Sequence, residues 1–343
     1  MKNPYSLVFG VEPGEYVTRI IQTAEVVDSF LNDDQKIFMV TGVRGSGKTV
    51  FMSEIKRRFT EERDWIVIEL STERDMLISL AGKLSSRDKL SDLFKNAKLN
   101  LSFLGFGLEI SGASPITDIE VAISQMLSVL NRNKKKLLIA VDEAVDNKSV
   151  REFASVFQLL IREDLPIFLL MTGLYENIDD LQNEKNLTFL HRAPKINLGA
   201  LNIGAMADSY RRTLGLDENT SIEMAQFTKG YPYAFQVLGH FAYAHRGDYK
   251  ETIPQVKQYL EEYVYDKIWS ELSGRDKFIL YGVSQVPSGK ISDIRNTLGI
   301  TSNEFTPYKR RLIRKGIISN EQGCAKFTLP LFDKFVKENY IHS

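Results

Sequence analysis

The chain has few of the residues that build covalent or metal-held frameworks. Its 343 residues include one cysteine, Cys324, and four histidines. A single cysteine excludes an internal disulfide, and so few cysteines and histidines together argue against a structural zinc site. We therefore expect Cys324 to be a packing residue and the fold to depend on an apolar core.

Long apolar runs and an excess of one charge are also missing. No run approaches the length of a membrane-spanning helix, and the N-terminal segment MKNPYSLVFGVEPGEY lacks the basic region and long apolar core of a signal peptide. The 44 basic and 44 acidic residues cancel, and 43% of the residues are hydrophobic. This composition predicts a globular protein of two or three domains with a cytoplasmic location and no membrane partner.

The charges are unevenly distributed along the chain. Residues 271–343 hold 12 Lys and Arg against 7 Asp and Glu, a net charge of +5. This asymmetry predicts a basic C-terminal module, although the near-neutral whole chain carries no general nucleic-acid signature.

The most specific motif is GVRGSGKT, residues 42–49, which matches GxxxxGK[ST] in full. It lies between a strand-like run, KIFMV, and an amphipathic helix pattern, an order that favours a nucleotide loop over an ordinary glycine-rich turn. In such a loop backbone N–H groups face the β- and γ-phosphates, Lys48 neutralises their charge and the Thr49 hydroxyl can ligate Mg²⁺. The motif predicts that a nucleoside triphosphate is bound by Gly42, Val43, Arg44, Gly45, Ser46, Gly47, Lys48, Thr49 and Val50.

Strand-like and helix-like segments alternate after this loop. WIVIELS, LLIAVDEA and LPIFLLMTG are apolar, strand-like runs, and helices are predicted over about residues 75–84 and 117–131. The alternation predicts an α/β fold, a parallel sheet flanked by helices. Residues from about 85 to 115 are polar and then glycine-rich, which predicts an insertion that contains a small hairpin.

Asp142 and Glu143 end the apolar run LLIAVDEA, as in a Walker B motif. The aspartate can hold Mg²⁺ and the glutamate can orient or deprotonate an attacking water. A pair of solvated acids is the alternative, and the upstream phosphate loop favours the functional interpretation.

Two further side chains are candidates for contact with a γ-phosphate. Thr172, at the end of FLLMTG, is a candidate polar contact, although a Thr before a Gly is also ordinary turn chemistry. Arg192, in FLHRAPKINL, is either a surface arginine or an arginine finger that reaches the nucleotide across a subunit interface.

Together these segments resemble the AAA+ P-loop ATPases, and within them the clade of origin-recognition-type initiators and STAND signalling ATPases. The resemblance implies ATP or ADP with Mg²⁺ as cofactors, slow Mg-dependent hydrolysis and a nucleotide-dependent homo-oligomer. It implies a nucleotide-binding AAA+ domain over residues 1–200, a helical lid over 201–268 and a winged-helix domain over 269–343. Within this resemblance Thr172 is similar to the sensor 1 residue.

The lid carries KGYPYAFQVLGH, whose GYP looks like the GxP motif of STAND proteins and implies that Pro232 lies near the nucleotide. A turn at a helix start explains these residues equally well. No arginine follows GYP at the sensor 2 position, which favours a switch over a fast motor. The resemblance also implies that the N-terminal segment around Arg19 helps to enclose the adenine, with Pro4, Tyr5, Phe9 or Tyr16 near the base.

The last segment predicts three helices and a hairpin around NEQGCAKFTLP, with Ser302 as N-cap of the third helix. In a winged helix this third helix can enter a DNA major groove, while its basic side chains neutralise phosphates. In STAND proteins the module often contacts protein instead, so DNA and protein both remain open as partners. The candidate DNA contacts are Lys309, Arg310, Arg311, Arg314 and Lys315.

Overall fold

The computed structural model describes residues 3–8, 10, 12–102, 105, 114–245 and 247–340. The chain divides into two compact units. Unit 1 comprises Met1–Arg19, Gly42–Val50 and Asn197–Ser343, and unit 2 comprises Ile20–Thr41 and Phe51–Ile196. Among the described residues no helix has the length and apolar character needed to cross a membrane.

Unit 2 is built on a five-stranded sheet. Its strands are β1 (Ile37–Thr41), β2 (Trp65–Leu70), β3 (Lys136–Val141), β4 (Ile167–Gly173) and β5 (Lys195–Asn197). They lie in the order β2-β3-β4-β1-β5, and β2 with β3, β3 with β4 and β4 with β1 pair in parallel. Every residue of β1 and β4 is buried, as expected for a parallel sheet covered on both faces.

Helices alternate with these strands along the chain. They are α1 (Ile20–Leu31), α2 (Lys48–Glu61), α3 (Met76–Ser85), α4 (Asp88–Asn96), α5 (Ile119–Arg132), α6 (Lys148–Arg162), α7 (Tyr175–Asn183) and α8 (Thr188–His191). Side-chain caps begin three of them: Asp75 on α3, Asp118 on α5 and Asn147 on α6 each accept a backbone N–H from the first turn. The helices predicted over residues 75–84 and 117–131 are confirmed as α3 and α5.

The predicted insertion contains a helix that the sequence analysis missed. α4 buries Leu90 and Phe94, which lie four residues apart on one face, against the core of unit 2. The flanking lysines obscured this short amphipathic pattern. The hairpin predicted in LNLSFLGFGLEISG falls mostly outside the described residues.

Unit 1 is helical through its middle, as expected for the helical segment over residues 201–268. The helices are α9 (Ile203–Leu214), α10 (Glu218–Phe227), α11 (Pro232–Ala244), α12 (Ile253–Leu260) and α13 (Asp266–Ser270), with a π-helical turn over Glu261–Tyr265. Aromatic rings fill their core: the centroids of Tyr210 and Phe235 lie 4.8 Å apart, and Tyr5 packs edge-on against Phe235 at 5.5 Å. We call residues 201–268 the lid segment.

The C-terminal module, residues 269–343, has the predicted three helices and hairpin. They are α14 (Gly274–Gln285), α15 (Ile291–Leu298), α16 (Ser302–Arg314), and the antiparallel strands β6 (Ile318–Glu321) and β7 (Cys324–Phe327). A further helix, α17 (Phe332–Tyr340), packs on α14, where the rings of Tyr281 and Tyr340 stack at 4.4 Å. Ser302 is not the N-cap of α16: Thr301 is, because it forms a reciprocal capping box with Glu304.

Candidate functional site

The loop between β1 and α2 has the backbone of a phosphate cradle. Gly45 and Gly47 adopt positive φ values of 76° and 83°, a conformation in which glycine avoids Cβ strain. A Cβ on Gly42 would collide with the Ser46 hydroxyl, so the loop also needs a small residue at its start. The Ser46 backbone N–H donates a hydrogen bond to the Val43 carbonyl at 3.0 Å, which closes a turn within the loop.

The groups within this loop fit a bound polyphosphate. α2 begins at Lys48, so the backbone N–H groups of its first turn and its positive dipole lie at the loop. The Lys48 ammonium donates to the carbonyls of Gly42 at 3.1 Å and Val43 at 3.2 Å. The Ser46 hydroxyl is buried and has no hydrogen-bond partner among the described residues. Half-buried Thr49 follows Lys48 and offers the hydroxyl that Mg²⁺ takes in such loops.

The carbonyls of the loop are held by groups from elsewhere in unit 1. The Tyr231 hydroxyl donates to the Arg44 carbonyl at 2.6 Å, and the Tyr233 backbone N–H donates to the Gly45 carbonyl at 3.2 Å. Both donors lie at the start of α11, so the lid segment contacts the loop directly.

Arg19 holds the next carbonyl of the loop. Its guanidinium donates to the Ser46 carbonyl at 3.2 Å and to the Gly199 carbonyl at 2.7 Å. The side chain is only 9% exposed, and burial lowers its pKa to about 10. It remains charged at neutral pH, and both of these acceptors are neutral carbonyls. The structure therefore places Arg19 at the loop, beside Ser46.

Pro232, predicted to lie near the nucleotide, contacts the loop. It is the first residue of α11, and its ring carbons lie 3.8 to 3.9 Å from where a Cβ on Gly47 would stand. Gly230 packs closely against the backbone of Leu201, since a Cβ there would lie 2.8 Å from the Leu201 carbonyl oxygen. The GYP segment therefore lies along one side of the loop. Its contact with a nucleotide stays a prediction.

The structure brings Asp142 and Thr172 together at the carboxyl ends of β3 and β4. The Thr172 hydroxyl donates to the Asp142 carboxylate, and the Glu143 backbone N–H donates to the same oxygen at 3.0 Å. Thr172 is fully buried, while Asp142 is half-buried and Glu143 is exposed. Glu143 adopts a positive φ of 51°, an uncommon conformation for a non-glycine residue. The carboxylate edge is therefore ordered, and the Glu143 side chain reaches solvent.

Arg192 is not joined to this edge. It is exposed and follows α8, and no contact among the described residues links its side chain to Asp142, Glu143 or Thr172. Of its two interpretations, the surface arginine fits the single chain.

The basic side chains of α16 differ in their surroundings. Arg311 forms a fork with Asp276, with contacts of 3.0 Å and 2.6 Å, and also donates to the Ser273 hydroxyl at 2.9 Å. Arg310 and Arg314 are exposed, whereas Lys309 and Lys315 are half-buried. Arg311 therefore stabilises the module, and its guanidinium is less accessible to a partner than that of Arg310.

The loop also contacts the C-terminal module, which the sequence analysis missed. The Arg44 guanidinium pairs with Glu271 at 2.8 Å, and Val43 lies 3.6 Å from where a Cβ on Gly316 would stand. No motif marks Glu271, because a single acid after a helix is common. Tyr231, in contrast, lay within the GYP segment, and only its hydroxyl contact was hidden.

Known protein structures resemble this chain in overall fold, and a known family matches most of its C-terminal module. The chain is similar to the Walker-type ATPase PABY2304 of Pyrococcus abyssi, with 19% identity, a TM-score of 0.63 and coverage of 94% of this chain and 96% of that one. It is also similar to the ORC2 protein of Aeropyrum pernix in ADPNP-ADP complexes, with 13% identity, a TM-score of 0.57 and coverage of 98% and 96%. These likenesses confirm the predicted fold class, an α/β P-loop fold of the AAA+ type.

A family described as a domain of unknown function (DUF8462) matches residues 262–336, within unit 1. None of the curated proteins compared with the sequence matches it. The family match covers most of the C-terminal module and assigns it no activity.

Proposed function

We propose that the chain binds ATP and ADP with Mg²⁺, hydrolyses ATP slowly and acts as a nucleotide-dependent switch. The observation that carries the proposal is the loop over residues 42–49. Its two left-handed glycines, the Lys48 ammonium and the start of α2 form a cradle for the β- and γ-phosphates. The Aeropyrum pernix ORC2 protein, which shares the fold, is described in ADPNP-ADP complexes, and this supports an adenine nucleotide.

Residues at the carboxyl ends of the central strands supply the hydrolytic chemistry in this proposal. Asp142 follows β3 and Thr172 lies near the end of β4, which pairs with β3 in the sheet of unit 2, so these two groups lie at one edge of that sheet. Thr49 and Asp142 would hold Mg²⁺, which when bound neutralises charge on the phosphates. Glu143, exposed beside Asp142, is the general base that takes a proton from the attacking water, and Thr172 fixes the Asp142 carboxylate.

Two variants test nucleotide binding and hydrolysis separately. Lys48→Ala removes the loop's cation and should weaken ADP binding by about 100-fold, the effect of losing charge-assisted hydrogen bonds. Glu143→Gln should leave ADP affinity within about twofold and lower the ATP hydrolysis rate by about 100-fold. Lys56→Ala removes a cation of the same helix α2 that pairs with Glu69 and not with the loop; it is the matched control and should bind ADP as wild type does. Calorimetry with ADP and phosphate-release assays give both readouts.

Wild-type protein without measurable ADP or ATP affinity would overturn the proposal. Normal hydrolysis by Glu143→Gln would remove Glu143 from its role while leaving nucleotide binding intact. The proposal also includes a nucleotide-dependent homo-oligomer, because the exposed Arg192 is accessible to a second copy of the chain. Light scattering of Glu143→Gln with ATP should show a larger assembly than the same protein with ADP.

We propose double-stranded DNA as a partner of the C-terminal module. The favouring observation is the exposed Arg310 on α16, in a segment with 12 basic and 7 acidic residues. Such groups neutralise phosphates, so affinity should fall steeply with salt. The double variant Lys309→Ala with Arg310→Ala should weaken DNA binding about tenfold, roughly 0.7 kcal/mol for each lost phosphate contact.

Lys334→Ala with Lys337→Ala removes the same charge from the exposed side of α17 and is the matched control. A larger loss in the α16 variant assigns α16 to DNA. DNA affinity that is absent, or indifferent to salt and to both variants, would instead favour the alternative, a STAND-like regulatory ATPase whose module contacts protein.

A further inference from the structure

Tyr231 donates a side-chain hydrogen bond to the phosphate loop. The residue is 3% exposed, and its hydroxyl donates to the Arg44 carbonyl at 2.6 Å. Burial raises the pKa of this phenol well above its ordinary value, so the hydroxyl stays a donor through the neutral pH range. Loss of this donor would remove a hydrogen bond from a partly buried carbonyl, which is unfavourable.

The hydrogen bond from Tyr231 fixes the orientation of one peptide plane of the loop. In a trans peptide the C=O and the following N–H point in opposite directions, so holding the Arg44 carbonyl toward the lid segment turns the Gly45 N–H away from it. The next carbonyl, of Gly45, is held in the same way by the Tyr233 N–H. That N–H belongs to the first turn of α11.

The two bonds flank Gly45 and keep it left-handed. Gly45 has φ of 76°, and a Cβ on it would collide with the Tyr231 hydroxyl. Both peptides that meet at Gly45 are therefore oriented by the start of α11. The loop's backbone geometry depends on the lid segment as well as on its own glycines.

We infer that Tyr231 is a positioning residue for the phosphate loop: its hydroxyl orients the peptide between Arg44 and Gly45 so that the loop receives the phosphates of a nucleotide. The inference rests on the proposed nucleotide binding and adds a residue that GxxxxGK[ST] does not contain. It also makes phosphate affinity depend on contact between the lid segment and the loop.

The test is Tyr231→Phe in the full chain, which removes one oxygen and keeps the ring. We expect the dissociation constant of ADP and the KM for ATP to rise about five- to tenfold, the effect of one hydrogen bond, with kcat within twofold of wild type. Tyr210→Phe is the matched control: it removes another buried phenol oxygen in the lid segment, one that donates to the Phe235 carbonyl at 2.8 Å. Its ADP affinity should stay within twofold.

Melting temperatures distinguish a loss of loop positioning from a general loss of protein stability. If both Phe variants melt at similar temperatures and only Tyr231→Phe loses ADP affinity, the inference holds. Tyr231→Leu, which also removes the hydroxyl and keeps an apolar side chain, should show the same loss and serves if Tyr231→Phe does not fold. Tyr231→Phe with unchanged ADP affinity overturns the inference, while ADP binding that is lost in Lys48→Ala leaves the proposed function standing.

Discussion

The phosphate loop and the acidic sheet edge are held in different ways. The loop's carbonyls accept hydrogen bonds from Arg19, from Tyr231 and from the backbone of Tyr233, all distant in sequence. Asp142 accepts its bonds from Thr172 on the neighbouring strand and from the adjacent Glu143. Strand register is enough to build the edge, whereas the loop needs the N-terminal segment and the lid segment. The two halves of the proposed nucleotide chemistry should therefore respond differently to substitution.

The largest effect should come from a buried carboxylate of the C-terminal module that has a long-range ion-pair partner. Asp276 is 1% exposed and paired with Arg311. Arg311→Ala would leave this carboxylate with Ser273 as its remaining hydrogen-bonding group. We expect the free energy of unfolding to fall by about 3 kcal/mol, the lower end for a broken buried pair because Arg311 is partly exposed. Urea titration of the full chain measures it.

Arg310→Ala is the matched control, since Arg310 is the exposed neighbour on the same helix. It should change stability by less than about 0.5 kcal/mol. Equal losses in the two variants would show that the Asp276 pair does not hold the module. The difference also explains why Arg311 is a poor position for testing DNA contact, because unfolding would mimic lost binding.

An intermediate effect is expected at the acidic edge, where the contact is local. Thr172→Val keeps the shape of a fully buried side chain and removes the hydroxyl that donates to Asp142. The loss of one hydrogen bond to a charged group predicts about 1.5 kcal/mol, or about a tenfold slower hydrolysis, with ADP affinity within twofold. Phosphate-release assays and ADP calorimetry check both parts.

Thr172→Ser is the control for this edge, because it keeps the hydroxyl and removes only a methyl group. Its hydrolysis should stay close to wild type even if stability drops by about 1 kcal/mol. If the Ser variant hydrolyses as slowly as the Val variant, packing of the methyl group and not the hydroxyl is what matters at this position.

Most of the fold could be predicted from local patterns in the sequence. The apolar runs before residues 42 and 142 predicted β1 and β3, and parallel pairing of their neighbour β4 then placed Thr172 beside Asp142. Helix α5 followed from its apolar spacing, although the cap at Thr301 was placed one residue late, because Ser302 is an equally good N-cap type.

The contacts that hold the loop could not be predicted in this way. Tyr231 and Glu271 lie far along the chain from Arg44, and nothing in their local sequence specifies a partner. Long-range packing decides these two contacts, and one sequence does not encode it in a local pattern. α17 was missed although its apolar residues, Phe332, Phe335 and Val336, recur at helical spacing after the hairpin.

The smallest effect should come from the exposed long-range contact of the loop. Arg44 and Glu271 pair at 2.8 Å with side chains that are 30% and 36% exposed, and Lys267 lies 3.6 Å from the same carboxylate. Solvent screens such a pair, so Glu271→Gln should lower the free energy of unfolding by only about 0.5 kcal/mol, and the loss should nearly vanish in about 1 M salt. Lys267→Gln keeps the partner of Arg44 and should change stability less. If it matches Glu271→Gln at every salt concentration, the pair with Arg44 contributes nothing of its own, and the loop is held through its buried carbonyl contacts alone.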